Sequence, residues 1–98
     1  MNNFYKMEKF LIEIPHEPSE SACVNAARIF FQTGSHFLAR AEWGCDDGEH
    51  KAWLLVDVEN KDQARQIIPS AFRQEAKIVR LKKFTRQEMD ELAQVHGI

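Results

Sequence analysis

Alternating apolar and polar positions along the chain predict four β-strands. The segment KFLIEI, residues 9–14, places Phe10, Ile12 and Ile14 on one side. Segments 36–45 and 50–58 alternate in the same way around Asp47-Gly48, a dipeptide typical of a two-residue type I′ hairpin turn. The segment AKIVRLKKF, residues 76–84, predicts the fourth strand.

Helical spacing and capping residues predict three helices between and after these strands. Ser19 is a suitable N-cap for a helix whose apolar face is Cys23, Ala26, Ala27 and Phe30, with Gly34 as its stop. Further N-caps are predicted at Asn60 and at Thr85, in the capping-box pattern Thr85-Arg86-Gln87-Glu88. Pro69 ends the second helix early, and the third directs Met89 and Leu92 or Ala93 inward.

The resulting order is βαββαβ followed by a C-terminal helix. It predicts an α+β, ferredoxin-like fold: a four-stranded antiparallel sheet with both main helices on one face. We expect residues 1–6 to be a flexible tail and residues 7–98 to form a single domain.

The second face of this sheet is mixed in character. Its expected members are Leu11, Glu13, Leu38, Arg40, Glu42, Trp53, Leu55, Asp57, Ile78, Arg80 and Lys82. Val79 and Leu81 are expected on the helix side instead. Contiguous apolar surface of this kind usually marks an interface. We therefore expect a homodimer in which the open sheet faces of two copies meet around a two-fold axis.

The βαββαβ order, this mixed face and the ending AKIVRLKKFTRQEMDEL resemble the dimeric α+β-barrel superfamily, in particular its small uncharacterised members. The similarity covers roughly residues 8–93. It implies a ligand cavity between sheet and helices or within the barrel, and activities such as cofactor-free oxygenation or isomerisation. The chain matches no haem-degrading Asn/His/Trp set and no clear His–Asp dyad, so the resemblance names no single reaction.

Composition narrows the classes of partner. The 98 residues carry a net charge of −2 without a long basic run, so we expect no nucleic-acid partner. No apolar run approaches the ~20 residues that cross a bilayer, and the N-terminus lacks the features of a signal peptide, so we expect no membrane partner. Two cysteines without a CxxC motif predict free thiols, no disulfide scaffold and a cytoplasmic location.

Four charged residues form the strongest candidate constellation. If a ligand binds, Arg40 and Arg80 can clamp a carboxylate or phosphate, while Glu42 or Asp57 acts as a base, as Glu13 also could. The alternative interpretation is a structural ion-pair network. Trp53 is either a packing anchor or an aromatic wall for a planar ligand.

Histidine and cysteine supply the remaining candidates. His16, in the loop after the first strand, is a candidate general base or a solvated side chain. His36 is a candidate at the mouth of the cavity or a surface residue. Cys45 faces His50 across the predicted hairpin, but a single Cys/His pair does not close a tetrahedral site. We therefore expect no metal and no cofactor. The alternative is a metal ion bound by Cys45 and His50.

Two functions remain open at this point. In the first, a cytoplasmic homodimer binds a small anionic or aromatic molecule, with or without cofactor-free acid–base or oxygenase chemistry. In the second, the chain is a non-catalytic association or ligand-sensing module that uses its open sheet face to contact another protein chain.

Overall fold

The computed structural model describes residues 6–98. The strands are β1 (Glu8–Pro15), β2 (Glu42–Trp43), β3 (Lys51–Val58) and β4 (Lys77–Leu81). The helices are α1 (Glu20–Gln32), α2 (His36–Ala39), α3 (Lys61–Ile67) and α4 (Arg86–Val95). Two 3-10 turns, Cys45–Asp47 and Ser70–Phe72, complete the regular structure of this part of the chain. The fold is α+β, as expected. Most of the predicted tail, residues 1–5, lies outside the described residues.

The four strands form one antiparallel sheet in the order β2-β3-β1-β4. β1 is central and pairs along its whole length with β3, so that Ile12 lies opposite Leu54. On its other side Ile12 lies opposite Ile78 of β4. Because facing residues share a side of the sheet, this register sorts every strand position into two faces.

The core lies between the sheet and helices α1, α2 and α3. It is built from these buried side chains: Phe10, Ile12, Ile14, Phe30, Leu38, Ala52, Leu54, Val56, Val58, Ala64 and Ile68. Phe30 of α1 is fully buried and packs against Trp43, with ring centroids 4.9 Å apart. The helix predictions at Ser19 and Asn60 are confirmed, since both side chains accept the expected capping hydrogen bonds.

The opposite side of the sheet is covered by no element of residues 6–98, and we call it the open face. Its members are Lys9, Leu11, Glu13, Glu42, Lys51, Trp53, Leu55, Asp57, Lys77, Val79 and Leu81. Leu55 is 61% exposed, and Val79 and Leu81 are each 36% exposed. A mixed apolar and charged face is therefore present, although its membership differs from the prediction.

The predicted strand over residues 36–45 is wrong in its first half. Ser35 caps a four-residue helix, α2, through a hydrogen bond from the backbone N–H of Leu38, and only Glu42–Trp43 is extended. Leu38 consequently enters the core, with 2% of its surface exposed, instead of lying on the open face. The predicted pairing of Trp43 with Ala52 is confirmed.

The predicted two-residue turn is replaced by a longer connection. A 3-10 turn, Cys45–Asp47, leads into Gly48, whose φ of 79° is readily adopted by glycine. Gly44 closes this loop: its N–H donates to the carbonyl of Lys51, and its own carbonyl accepts from the N–H of Glu49. A Cβ at Gly44 would lie 2.7 Å from the Trp53 ring, so the close approach requires glycine.

The predicted faces of β4 are exchanged. Ile78 packs against the core and Arg80 lies on the same side, whereas Val79 and Leu81 lie on the open face. The segment AKIVRL is apolar on both sides, so its pattern does not fix its register. A one-residue shift moves every side chain to the other face.

The C-terminal helix α4 forms as predicted, but its predicted packing is wrong. The capping box between Thr85 and Glu88 is complete, and the Thr85 backbone N–H is the main reason why the pKa of the Glu88 carboxyl is lowered. Met89 and Leu92, expected inside, are 52% and 40% exposed. α4 is thus an amphipathic helix whose apolar stripe is left largely open.

Candidate functional site

Two cysteines and two histidines meet at one end of the sheet. Cys23 comes from α1, Cys45 from the 3-10 turn, and His16 and His50 flank the adjacent ends of β1 and β3. All four residues are half-buried. We call them the Cys–His cluster. It joins positions that are far apart in the sequence, which only the folded sheet brings together.

Cys23 and Cys45 form a disulfide that links α1 to the 3-10 turn. The expectation of free thiols is therefore wrong for both cysteines. Sequence spacing could not show this pairing, since the predicted strand aligned Cys45 with His50 rather than with α1. Disulfides persist mainly in oxidising compartments, so the cytoplasmic location, which rested on free thiols, stays a prediction.

His16 contacts the disulfide directly. Its Nε2 lies 3.2 Å from the Cys45 sulfur, while its Nδ1 lies 2.9 Å from the backbone carbonyl oxygen of Glu17. A carbonyl oxygen can only accept a hydrogen bond, so Nδ1 carries the proton. In the neutral ring, Nε2 then presents its lone pair to the sulfur. The fold thus fixes which nitrogen faces the cysteines.

His50 stands beside His16 across the strands. The backbone N–H of His16 donates to the carbonyl of His50 at 3.0 Å, continuing the β1–β3 pairing by one residue. Their ring centroids are 5.7 Å apart. The Nδ1 atom of His50 is buried and has no hydrogen-bond partner within residues 6–98. Buried polar atoms rarely lack a hydrogen-bond partner. This nitrogen is therefore the one polar atom of the cluster whose burial is unexplained.

A cleft adjoins the cluster on the helix side. Its volume is about 630 Å³, within the range of small-molecule sites. Its lining is Pro15, His16, Glu17, Pro18, Ala22, Asn25, Ala71, Phe72 and Glu75. The lining drawn from residues 6–98 holds two carboxylates and neither Lys nor Arg. Its charge therefore favours a cationic or neutral ligand over an anion.

The open face forms a second candidate surface, on the other side of the sheet. The Trp53 indole N–H donates to the Glu13 carboxylate at 3.1 Å, which holds the ring against the sheet. Two cross-strand ion pairs, Lys51–Glu13 at 3.5 Å and Lys9–Asp57 at 4.0 Å, flank the apolar residues. Both pairs are open to solvent and contribute little stability, but they place charges of both signs around Leu55.

The charged constellation predicted from sequence is not assembled. Arg40 is an exposed residue that ends α2, next to the β2 edge of the sheet. Arg80 lies at the opposite edge, on β4 and on the core side. There it pairs with Glu8 at 3.2 Å and covers the ring of Phe10. With strands spaced about 4.8 Å apart, the two guanidinium groups are too far apart to clamp one carboxylate or phosphate.

The catalytic candidates are also dispersed. Glu42 and Asp57 share the open face but are far apart. Glu42 lies opposite Trp53, and Trp53 precedes Asp57 by four positions on β3, which is about 13 Å along the strand. His16 is on the other side of the sheet. His36 begins α2, exposed and stacked on Phe37 with ring centroids 4.4 Å apart. The structure therefore does not bring these four side chains together.

Sequence reasoning found two members of the Cys–His cluster as a metal alternative, Cys45 and His50, but missed Cys23 and His16. One ligand atom each of His16, Cys23 and Cys45 lies within 4.8 Å of the others. The sequence did contain a signal for both residues. His16 continues the alternation of Phe10, Ile12 and Ile14 and so falls on the helix side of the sheet. Cys23 lies on the apolar face of the first helix, which packs against that same side.

Within residues 6–98 no helix is long and apolar enough to cross a bilayer. Comparisons with protein-family models, curated proteins and solved structures found no match. The resemblance to the dimeric α+β-barrel superfamily therefore stays an expectation.

Proposed function

We propose that this protein is a self-association module that forms a homodimer through its open face. The observation that carries the proposal is the contiguous apolar strip Leu11, Trp53, Leu55, Val79 and Leu81 on a sheet face that residues 6–98 leave uncovered. Apolar surface of this kind is typical of an interface. A second copy is the occupant that the charges favour.

The charges of the open face are balanced. Its basic residues are Lys9, Lys51 and Lys77, and its acidic residues are Glu13, Glu42 and Asp57. A face without net charge does not repel a copy of itself, and a two-fold axis can bring its basic and acidic positions together. A nucleic acid or a strongly acidic protein would instead require an excess of Lys and Arg.

The size of the surface favours a contribution from α4. Three neighbouring strands of up to eight residues have a flat footprint of roughly 26 by 14 Å. A standard interface buries about 800 Å² on each partner. The open face alone falls short of this area, and the apolar stripe of α4, with Met89 and Leu92 exposed, supplies more. The proposed dimer uses both surfaces.

The proposal extends to the fold family. The element order is βαββαβ apart from the short helix α2 before β2 and the terminal α4. Together with an antiparallel sheet in the order β2-β3-β1-β4 and helices on one face, it supports a ferredoxin-like arrangement. Two such sheets meeting face to face would form a dimeric α+β barrel. Leu38, Arg40 and Arg80 leave the open face. Lys9, Lys51 and Lys77 join it, so the space between the two sheets would be lined by apolar and charged side chains, as the sequence indicated.

Light scattering on a sizing column, over a dilution series, tests the dimer. The informative variant is Leu55→Asp, which places a carboxylate at the centre of the open face. Burial of a leucine side chain is worth about 1.5–3 kcal/mol, and the two-fold axis counts the change twice. Dimer affinity should therefore fall by about a hundredfold or more.

Val24→Asp is the matched control, because Val24 on α1 is 62% exposed, close to the 61% of Leu55. It adds the same charge away from the open face and should leave the dimer intact. A wild-type protein that is monomeric at every concentration would refute the proposal. So would equal weakening by the two variants, which would indicate a general charge effect.

A second candidate function, small-molecule binding, is favoured by the cleft beside His16. Its carboxylates Glu17 and Glu75 and the ring of Phe72 suit an aromatic cation rather than the anion expected from sequence. Phenethylamine and phenylacetate are matched probes, since they share a ring and differ in charge. Amide NMR shifts at Asn25 and Phe72 with the amine alone support the site. Shifts with neither probe, or with the acid alone, would exclude it.

A further inference from the structure

We infer that the dithiol form of this protein binds a zinc ion at the Cys–His cluster. The ligands would be the sulfur atoms of Cys23 and Cys45, Nε2 of His16 and, in the fourth position, Nδ1 of His50. Two thiolates and two imidazoles form a closed donor set typical of structural zinc sites. This inference does not depend on the proposed dimer, because the open face lies on the other side of the sheet.

The ring of His16 is already oriented as a metal ligand. Metal-binding histidines almost always donate their second ring N–H to a carbonyl or carboxylate, which fixes the tautomer and the ring plane. The Nδ1–H of His16 does so, donating to the Glu17 carbonyl at 2.9 Å. Nε2 therefore presents a lone pair to the Cys45 sulfur 3.2 Å away. Once the disulfide is reduced, this lone pair and the Cys45 thiolate can bind the same cation.

The spacing of the donors suits tetrahedral zinc. Zn–S bonds of about 2.3 Å and Zn–N bonds of about 2.0–2.1 Å place neighbouring ligand atoms roughly 3.5–3.8 Å apart. The donor atoms of His16, Cys23 and Cys45 all lie within 4.8 Å of one another. These three donors are therefore close enough to bind one zinc ion after side-chain adjustments alone.

His50 supplies the independent observation. Its Nδ1 is buried without a hydrogen-bond partner in the described part of the chain, and its ring centroid lies 5.7 Å from that of His16. A metal ion would satisfy this nitrogen. Trp43 packs beside His16, with ring centroids 5.9 Å apart, and limits access of water on that side.

The disulfide and the metal ion exclude each other, because both use the same two sulfur atoms. Reduction by a phosphine converts the disulfide to two thiols. The phosphine becomes a phosphine oxide, and water supplies the oxygen atom and both protons. Zinc then displaces the thiol protons and binds the thiolates. Binding should accordingly release protons and be strong only in the reduced protein.

The test is a titration of phosphine-reduced protein with Co²⁺ and then Zn²⁺. Cobalt in a tetrahedral site with thiolate ligands gives sulfur-to-metal charge-transfer absorption and intense visible bands, and zinc should bleach both. Competition with a chelator gives the zinc affinity. The oxidised protein, titrated with the same metal ions but without the phosphine, should show neither absorption.

Single variants Cys23→Ser, Cys45→Ser, His16→Ala and His50→Ala identify the ligands. Each should lower zinc affinity by more than the 10–100-fold typical of losing an outer partner of a ligand. His96→Ala is the matched control, since His96 is an exposed histidine that ends α4, and it should have no effect. Circular dichroism of each reduced variant shows whether the sheet is retained.

Several results would overturn the inference. Octahedral cobalt spectra without charge transfer would exclude thiolate ligation. Equal affinity in the reduced and oxidised proteins would exclude both cysteines. A folded His50→Ala variant with wild-type affinity would remove His50 from the site, and the same result for His16→Ala would overturn the whole arrangement. If variants unfold, the reduced wild-type spectrum alone still decides the matter.

Discussion

The Cys23–Cys45 cross-link should dominate the response of this small protein to reduction. The two residues are 22 positions apart, and the bond joins α1 to the turn before β3. Its effect acts mainly on the unfolded chain, which loses conformational freedom when a loop is closed. A chain of this size has a thin core, so the cross-link is a large part of its stability.

The magnitude follows from the loop length. The chain-entropy relation gives about 3.4 kcal/mol at 25 °C for a closed loop of 22 residues. For urea unfolding of a small domain, with a slope of about 1–3 kcal/mol/M, this corresponds to a midpoint shift of roughly 1–3 M. The double variant Cys23→Ala/Cys45→Ala, in the presence of a chelator, should show that loss.

Urea denaturation followed by tryptophan fluorescence measures the effect, since Trp43 packs beside His16 at this end of the sheet. Wild-type protein with a phosphine reductant is the control, and its midpoint should match that of the double variant. A shift below about 0.5 M in both samples would contradict the loop-closure argument. A large shift in the variant alone would mean that packing, rather than the cross-link, was lost.

Three further predictions concern the core and α4. Phe30→Ala should lower the free energy of unfolding by about 3–5 kcal/mol, because the ring is fully buried against Trp43; urea denaturation measures it, and a loss below about 1 kcal/mol would contradict the packing. Thr85→Ala should cost α4 about 0.5–2 kcal/mol of helix stability and accelerate its amide exchange, with the urea midpoint of the sheet unchanged. The pKa of the Glu88 carboxyl is lowered from 4.5, so its stabilisation of α4 is complete above pH 4.5 and is lost as the pH falls through the folded-state pKa. An NMR titration of Glu88 should therefore give a midpoint below 4.5 in the wild type and a higher midpoint in Thr85→Ala. A wild-type midpoint at or above 4.5 would refute the link between the capping box and this pKa.

Strong local signals account for what the sequence predicted correctly. Ser19, Asn60 and Thr85 each precede a helix and accept the backbone N–H that their side chains suit. Strict alternation at Phe10, Ile12 and Ile14 gave the buried side of β1. These features depend on neighbouring residues only, so a pattern of a few positions determines them.

The failures arose where distant contacts decide between local alternatives. Phe37, Leu38 and Ala41 suit a helical turn as well as an alternating strand, and burial of Leu38 in the core favours the helix. The register of β4 is set by β1, a strand far away in the sequence. The predicted charged site required residues 36–45 to be a strand and Arg80 to lie on the open face. Neither holds in the structure, so its residues lie apart.

The central position of β1 also governs the order in which the fold can be assembled. Ile12 must find Leu54 on one side and Ile78 on the other, so the ladders of the central strand close over long stretches of chain. At translation rates of about 5–20 residues per second, β1 leaves the ribosome several seconds before β3 or β4. Sheets built from such distant pairings fold slowly. Throughout that interval the apolar side chains of Phe10, Ile12 and Ile14 lack their partners, which exposes β1 of the nascent chain to aggregation.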